Sequence, residues 1–208
     1  MPSIIIKEKP FPLVTIKGLY TEEERALIFS ELKFLNSGGG KKLKVDTGGA
    51  VTVDGHTRKN NKGSFLERVY QNPKFSDILS SGSKVLSILP HLNTGSSWYL
   101  DNITNALVDS EAISGTLVSY YENGGFYKSH PDYSLLTALD WFYETPKYFD
   151  GGDIWFPDYD VEIPIELNTT VLFPGMINHE VRPVFIEEEH RDKGLGRYVV
   201  ARFINVPG

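Results

Sequence analysis

A chain of 208 residues, 40% hydrophobic and 23% charged, is long for one average domain and short for two, so the expectation is a single domain spanning 1–208. A formal net charge of −6 argues against a protein whose main affinity is for nucleic-acid phosphates, because clustered Lys and Arg would have to supply it. The absence of cysteine excludes a disulfide framework, a thiolate metal site and a cysteine nucleophile, so any transition metal falls to carboxylates and to His56, His91, His130, His179 and His190.

The opening "MPSIIIKEKPFPLVTIKG" has only Ile4 to Ile6 before Lys7 as an apolar run, too short for the core of a signal peptide. Nothing in the chain approaches the length of a membrane span, so a cytoplasmic location without a membrane partner is expected, and the sequons at Asn102 and Asn168 read as chance matches. "PLVTIKGLYTEEERALIFSELKFL" predicts a strand and then a helix whose start is a capping box, Thr21 with Glu24. Residues 36–64 are rich in Gly, Lys, Asn and Asp and offer little apolar surface, which predicts a loop or weak hairpin. Its stretch 38–63 is a candidate lid. "FLERVYQNPKFSDILSSGSKVLSIL" predicts helix interrupted near Pro73.

From about residue 113 the pattern changes to short segments rich in Val, Ile, Tyr, Phe and Trp, separated by Gly, Pro, Asn and Asp: "SGTLVSYYE", "LLTALDWFYE", "GDIWFPD", "VEIPIELNTTVLFPG", "HEVRPVFIE" and "RYVVARFIN". Such strands without intervening helices predict an antiparallel sandwich or barrel over 113–208, with the helices and loop of 1–112 packed on it: an α+β, mostly β, chain.

His130-Pro131-Asp132 places two ligand types two positions apart, where an extended strand turns side chains to one face, about 6.6–6.8 Å between α-carbons. His179 opens a β segment after Pro174-Gly175. Each piece alone suits a turn or a strand end. Together they make two histidines and a carboxylate, a set that caps one face of an Fe(II) ion and leaves the other open. His56, His91 and His190 show no partner at ligand spacing.

In their order, "YYENGGFYKSHPD", "FDGGDIWFP", "VLFPGMINHEVRPV" and "GRYVVARFIN" resemble the prolyl 4-hydroxylase-like 2-oxoglutarate- and Fe(II)-dependent dioxygenases over roughly 113–206. The resemblance implies a double-stranded β-helix (jelly-roll) core, metal ligands and catalytic centre at His130, Asp132 and His179, and a basic residue that receives the distal carboxylate of 2-oxoglutarate. Fe(II), the cosubstrate 2-oxoglutarate and ascorbate as an auxiliary reductant are the implied cofactors. Arg197 is assigned the basic role: it alternates with Val199, Ala201 and Phe203 on the last strand, whereas Arg202, five positions on, points the other way. The family pattern puts this residue about ten beyond the second histidine. Arg197 lies eighteen beyond, after an insert read as a long charged hairpin loop. Tyr120 matches a family tyrosine that reaches the cosubstrate, and Trp141 falls where relatives have a tyrosine assisting the basic residue. Tyr127 reads as sheet core, and Gly151-Gly152 as the turn before the strand that closes the site. The implied activity is hydroxylation of an unactivated C–H bond, a prolyl residue of a peptide or protein being favoured over a small molecule, with nucleic acid disfavoured. A non-catalytic β-sandwich binding module, or a cupin-like metalloenzyme that uses no oxoacid, is the alternative.

Overall fold

The computed structural model describes residues 2–37, 43, 52–53, 56–95, 97–107 and 112–206. Its two main sheets are built, in chain order, from Ser3–Lys7 (β1), Leu13–Lys17 (β2), Lys59–Asn60 (β3), Lys62–Phe65 (β4), Ile113–Tyr121 (β5), Phe126–His130 (β6), Leu136–Phe142 (β7), Ile154–Phe156 (β8), Val161–Ile163 (β9), Thr169–Phe173 (β10), His179–Val181 (β11) and Arg197–Ile204 (β12). The larger sheet runs β1-β2-β10-β7-β12-β5-β4 and the smaller β9-β8-β11-β6-β3. Pairing is antiparallel throughout both. This is the double-stranded β-helix expected for 113–208, with edge strands added from the N-terminal half.

Alternation along the central strands sorts their side chains between two apolar layers. Every residue of β7 is buried, so both its faces are covered. Leu136, Ala138 and Phe142 join the helical side, while Leu139 and Trp141 join Val199 and Ala201 of β12 and Ile154, Phe156 and Val181 of the smaller sheet between the two sheets. The outer layer is completed by helices Glu22–Ser37 (α1), Asp77–Ser80 (α2), Gly82–Ile88 (α3) and Trp98–Ala106 (α4). Ile28, Leu32 and Leu35 form the apolar stripe of α1, and Ile78, Val85, Ile88, Leu100 and Ile103 pack from the other three. Full burial of each such side chain contributes about 1.5–3 kcal/mol.

The capping box forms as expected: the Thr21 amide donates to Glu24 Oε2 at 2.8 Å, and the Glu24 amide donates to Thr21 Oγ1 at 3.2 Å. The segment after Phe65 is a single 3-10 turn, Leu66–Arg68, and a second turn, Pro73–Phe75, precedes α2. That matches the predicted break at Pro73. Among the described residues, no helix is long and apolar enough to cross a membrane.

Four expectations need correction. β1 was not anticipated; its Ile4 and Ile6 pack on the outer core. The segment 161–175 is two strands, β9 and β10, because Asn168, at φ 54°, turns the chain between them. Over its described part the proposed lid 38–63 holds the short hairpin expected, Thr52–Val53 paired with His56–Thr57, but its end is not a free loop, since Lys59–Asn60 pairs with β6 and Lys62–Phe65 with β5. Backbone pairing to established edges outweighed a composition poor in apolar anchors; residues 38–42, 44–51 and 54–55 of that expectation lie outside the described residues. The insert after Ile186 is no hairpin: a 3-10 turn, Glu188–His190, is followed by turns to Gly194, held by Arg191 Nε donating to the Ile186 carbonyl at 3.0 Å.

Candidate active site

β6 and β11 are neighbours in the smaller sheet, and their register sets His130 directly opposite His179. Sheet pairing, not sequence proximity, therefore brings the two rings to 4.6 Å between centroids. Asp132 is the second residue beyond the strand, where its amide donates to the Gly175 carbonyl at 2.8 Å. That bond ties its loop to the turn leading into β11. Gly175 is required at this approach, because a Cβ there would lie 2.1 Å from Ser134 Oγ.

Asp132 Oδ1 lies 3.7 Å from His130 Nε2, and Asp132 Oδ2 lies 3.3 Å from His179 Nε2. One ligand atom from each residue falls within 4.8 Å of the others. His130 Nδ1 is 2.8 Å from the Lys128 carbonyl, and His179 Nδ1 is 2.9 Å from the Ile177 carbonyl. A carbonyl only accepts, so each Nδ1 carries a proton and each Nε2 faces the shared space, the tautomer a metal ion needs. Thr137 Oγ1 donates to Asp132 Oδ2 at 2.8 Å and fixes the carboxylate.

Charge follows the same geometry. Burial, and then neighbouring His179, push His130 down to about 4, so its ring is neutral at ordinary pH. Burial alone would lower His179, but the carboxylate of Asp132 outweighs it and raises the imidazole above its usual value. Burial likewise works against ionised Asp132, and the two histidines together with Thr137 hold it below the ordinary carboxylate range.

The three ligands open on a cavity of about 340 Å³ between the sheets. Arg197 lines the same cavity with no exposed surface, and among the described residues none of its three nitrogens has a hydrogen-bond partner. Its guanidinium lies 4.8 Å from the centre of the Tyr121 ring, and burial pulls its pKa down to about 10, which still leaves it charged at neutral pH. Gly152 makes room for it, since a Cβ there would stand 2.9 Å from Arg197 Cδ. A buried cation without an acceptor costs several kcal/mol unless an anion arrives to meet it. Leu117, Leu139, Val199 and Ala201 give the remaining floor its apolar character.

The structure brings His130, Asp132, His179 and Arg197 into one cavity, and leaves two other expected residues outside it. Tyr120 faces the outer layer, where its hydroxyl donates to Glu122 Oε2 at 2.6 Å. Leu117, Ser119 and Tyr121 are the β5 residues that line the cavity. The expectation was off by one position, which on a strand is the whole difference between faces. Trp141 lies on the inner face but is buried among core side chains and is not part of the cavity lining; its indole nitrogen has no partner. Tyr127, expected to be core, lines the cavity and stacks on His130, centroids 3.5 Å apart. Lys59 and Asn61 also reach the cavity, a position that composition could not reveal because it follows from pairing at both sheet edges. His190, expected to lack partners, comes within ligand range of Glu187 and Glu189 at the surface.

No protein-family model matches the chain. No curated protein sequence matches it. Solved structures do share its fold. A prolyl-4-hydroxylase of Pseudomonas putida aligns with a TM-score of 0.57 at 15% identity, covering 94% of this chain and 93% of the other. The viral collagen prolyl hydroxylase of Paramecium bursaria Chlorella virus 1, in its 2-oxoglutarate complex, aligns at 0.55 and 14% identity, covering 92% and 94%. OsALKBH1 aligns at 0.55 and 12% identity, covering 98% and 100%.

Proposed function

We propose that this chain, which has the fold of the prolyl 4-hydroxylases and other 2-oxoglutarate- and Fe(II)-dependent oxygenases, is itself such an oxygenase. One observation carries the reading: a cavity that presents two histidines and a carboxylate also buries an arginine whose three nitrogens lack any acceptor. The donor set suits Fe(II), which takes imidazole and carboxylate ligands and keeps open positions on this facial arrangement. The unmet guanidinium suits the distal carboxylate of a dicarboxylic oxoacid, since its planar fork gives two parallel hydrogen bonds.

When bound, iron with 2-oxoglutarate would supply the oxidising chemistry with dioxygen as the co-reactant: one oxygen atom would enter succinate as the oxoacid loses carbon dioxide, and the other would become the hydroxyl on the substrate carbon. The protein's own part is to hold and exclude. Nδ1 contacts to Lys128 and Ile177 keep both imidazoles turned inward, Thr137 steadies Asp132, and Arg197 receives the anion. The apolar floor of Leu117, Leu139, Val199 and Ala201 keeps water from the reacting centre.

For the substrate we favour a prolyl residue in a peptide or protein. The support is the likeness to two prolyl hydroxylases, and the two aromatic faces at the cavity, Tyr127 and the 76%-exposed Tyr133, on which a proline ring can stack. OsALKBH1 shares the fold equally well, so the fold by itself does not select this substrate. The test is succinate formation from 2-oxoglutarate with Fe(II), alone and with proline-containing peptides. Oxoacid turnover that a peptide stimulates is the expected result. Turnover without any peptide response removes the prolyl reading, and iron binding without 2-oxoglutarate turnover favours the cupin-like alternative.

A further inference from the structure

Asp132 is carried by the loop 131–135 between β6 and β7, whereas His130 and His179 sit on paired strands. A ligand on a loop is held less precisely than one on a strand, so whatever ties this loop down decides how well the site is formed before a metal arrives. Two buried hydroxyls stand beside it. Ser134, 3% exposed, belongs to the loop itself, and Thr137, fully buried, is the second residue of β7, paired with Phe173 of β10 and Phe203 of β12. The larger sheet thus fixes Thr137 from both sides.

The Ser134 and Thr137 hydroxyl oxygens are 2.9 Å apart, and Thr137 Oγ1 donates to Asp132 Oδ2 at 2.8 Å. Counting protons sets the direction of the chain. A threonine hydroxyl has one proton, and here it goes to the carboxylate, so toward Ser134 the Thr137 oxygen can only accept and Ser134 is the donor. A hydroxyl that receives a hydrogen bond gives a stronger one in turn, so Ser134 reinforces the bond that Asp132 accepts. Gly175 closes the other side: a Cβ there would lie 2.1 Å from Ser134 Oγ and 3.0 Å from Thr137 Oγ1, so the turn leading to His179 packs directly on the pair. Two hydroxyls in series join the Asp132 loop to the sheet.

We propose that Ser134 is a positioning residue for the metal ligand Asp132: by donating to Thr137 it commits the one Thr137 proton to Asp132 Oδ2, and so holds the carboxylate toward both histidines in the metal-free protein. The inference rests on the metal centre of the oxygenase reading and is independent of the cosubstrate. Ser134 reaches Asp132 only through Thr137, so its effect on the metal vanishes when Thr137 has no hydroxyl. A serine that merely satisfied its own hydroxyl would matter to folding and leave the metal alone.

The experiment is calorimetric titration of Mn(II) into the metal-free protein, for the natural chain and for Ser134→Ala, Thr137→Val, Thr137→Ser and the Ser134→Ala/Thr137→Val double variant, with denaturant unfolding of each metal-free protein alongside. Thr137→Val should weaken Mn(II) by roughly tenfold or more, as loss of a partner that orients a ligand does. Ser134→Ala should weaken it by roughly threefold or more, and Thr137→Ser, which keeps the hydroxyl, should bind within about twofold of the natural chain. The double variant should bind no more weakly than Thr137→Val alone. Losses that multiply in the double variant, a Thr137→Ser protein as weak as Thr137→Val, or a Ser134→Ala protein that is less stable yet binds Mn(II) normally overturns the positioning role and leaves the oxygenase reading standing. A natural chain that binds no Mn(II) overturns both. One that binds Mn(II) with the expected pattern of losses but takes up no 2-oxoglutarate upholds Ser134 and removes the oxygenase reading.

Discussion

Arg197 and Arg202 sit on one strand, both fully buried, and the structure assigns them opposite work. Arg202 is held by acceptors at both terminal nitrogens: it pairs with Asp140, and its Nη2 donates to Ser81 Oγ at 2.6 Å and to the Ile78 carbonyl at 3.1 Å, which leaves only Nε without a partner among the described residues. Tyr20 and Thr170 complete the shell of Asp140. Among the described residues Arg197 has no hydrogen-bond acceptor. Replacing Arg197 with Ala should therefore weaken 2-oxoglutarate by about 2–4 kcal/mol with Mn(II) affinity little changed, as calorimetry can read. Arg202→Ala strands the Asp140 carboxylate in the core instead, so its cost of about 3–5 kcal/mol belongs to denaturant unfolding, with no selective loss of 2-oxoglutarate. Should Arg202→Ala lose 2-oxoglutarate selectively, the inward face of the last strand has been misassigned. The metal ligands make a further prediction. A metal and a proton compete for His179 Nε2, and Asp132 holds the folded-state pKa of this imidazole above its ordinary value. Mn(II) affinity should accordingly fall as pH drops through that raised value, by up to about tenfold per pH unit below it. An affinity flat from pH 8 to pH 6 would contradict a ligand role for His179.

At the level of elements, strand register decides what is functional. The periodicity that placed Arg197 inward and Arg202 outward was visible in the sequence because β12 is long and regular. The same rule failed for Tyr120, because matching it by distance from His130 counts across the turn between β5 and β6, where one residue of slack exchanges Tyr120 for Tyr121. Ligand spacing at His130 and Asp132 was legible, whereas the seating of Asp132 was not: it depends on Gly175 lying against Ser134, far along the chain. Gly175→Ala tests that seating. Its Cβ would stand 2.1 Å from Ser134 Oγ and 2.7 Å from the Ser134 carbonyl oxygen, so the Asp132 loop must move. Mn(II) affinity should drop by roughly tenfold or more, about the loss that follows when the supports of a ligand are disturbed. Binding equal to that of the natural chain would show that the loop position is immaterial to the site.

Across the whole molecule, the sheets gather a site from residues distant in sequence, and only part of that assembly could be read in advance. The β-rich second half, the capped α1 and the two-histidine, one-carboxylate set were legible because each has a local signature. The contribution of residues 59–65 was not, since it arises when one polar segment supplies an edge strand to each sheet and so walls the cavity with Asn61 and Phe65. Long-range pairing of this kind leaves no trace in composition. The central claim is that iron and an oxoacid meet in one cavity, the metal on His130, Asp132 and His179 and the acid on Arg197. It is tested most directly by anaerobic titration of Fe(II) into the protein with and without 2-oxoglutarate, following the weak visible charge-transfer absorption of an iron-bound oxoacid. The account predicts a band that requires both components, is lost in His130→Ala, Asp132→Ala and His179→Ala, and needs far more 2-oxoglutarate in Arg197→Ala. A protein that binds Fe(II) yet shows no such band at saturating 2-oxoglutarate, or one whose band survives loss of any of the three ligands, would contradict it.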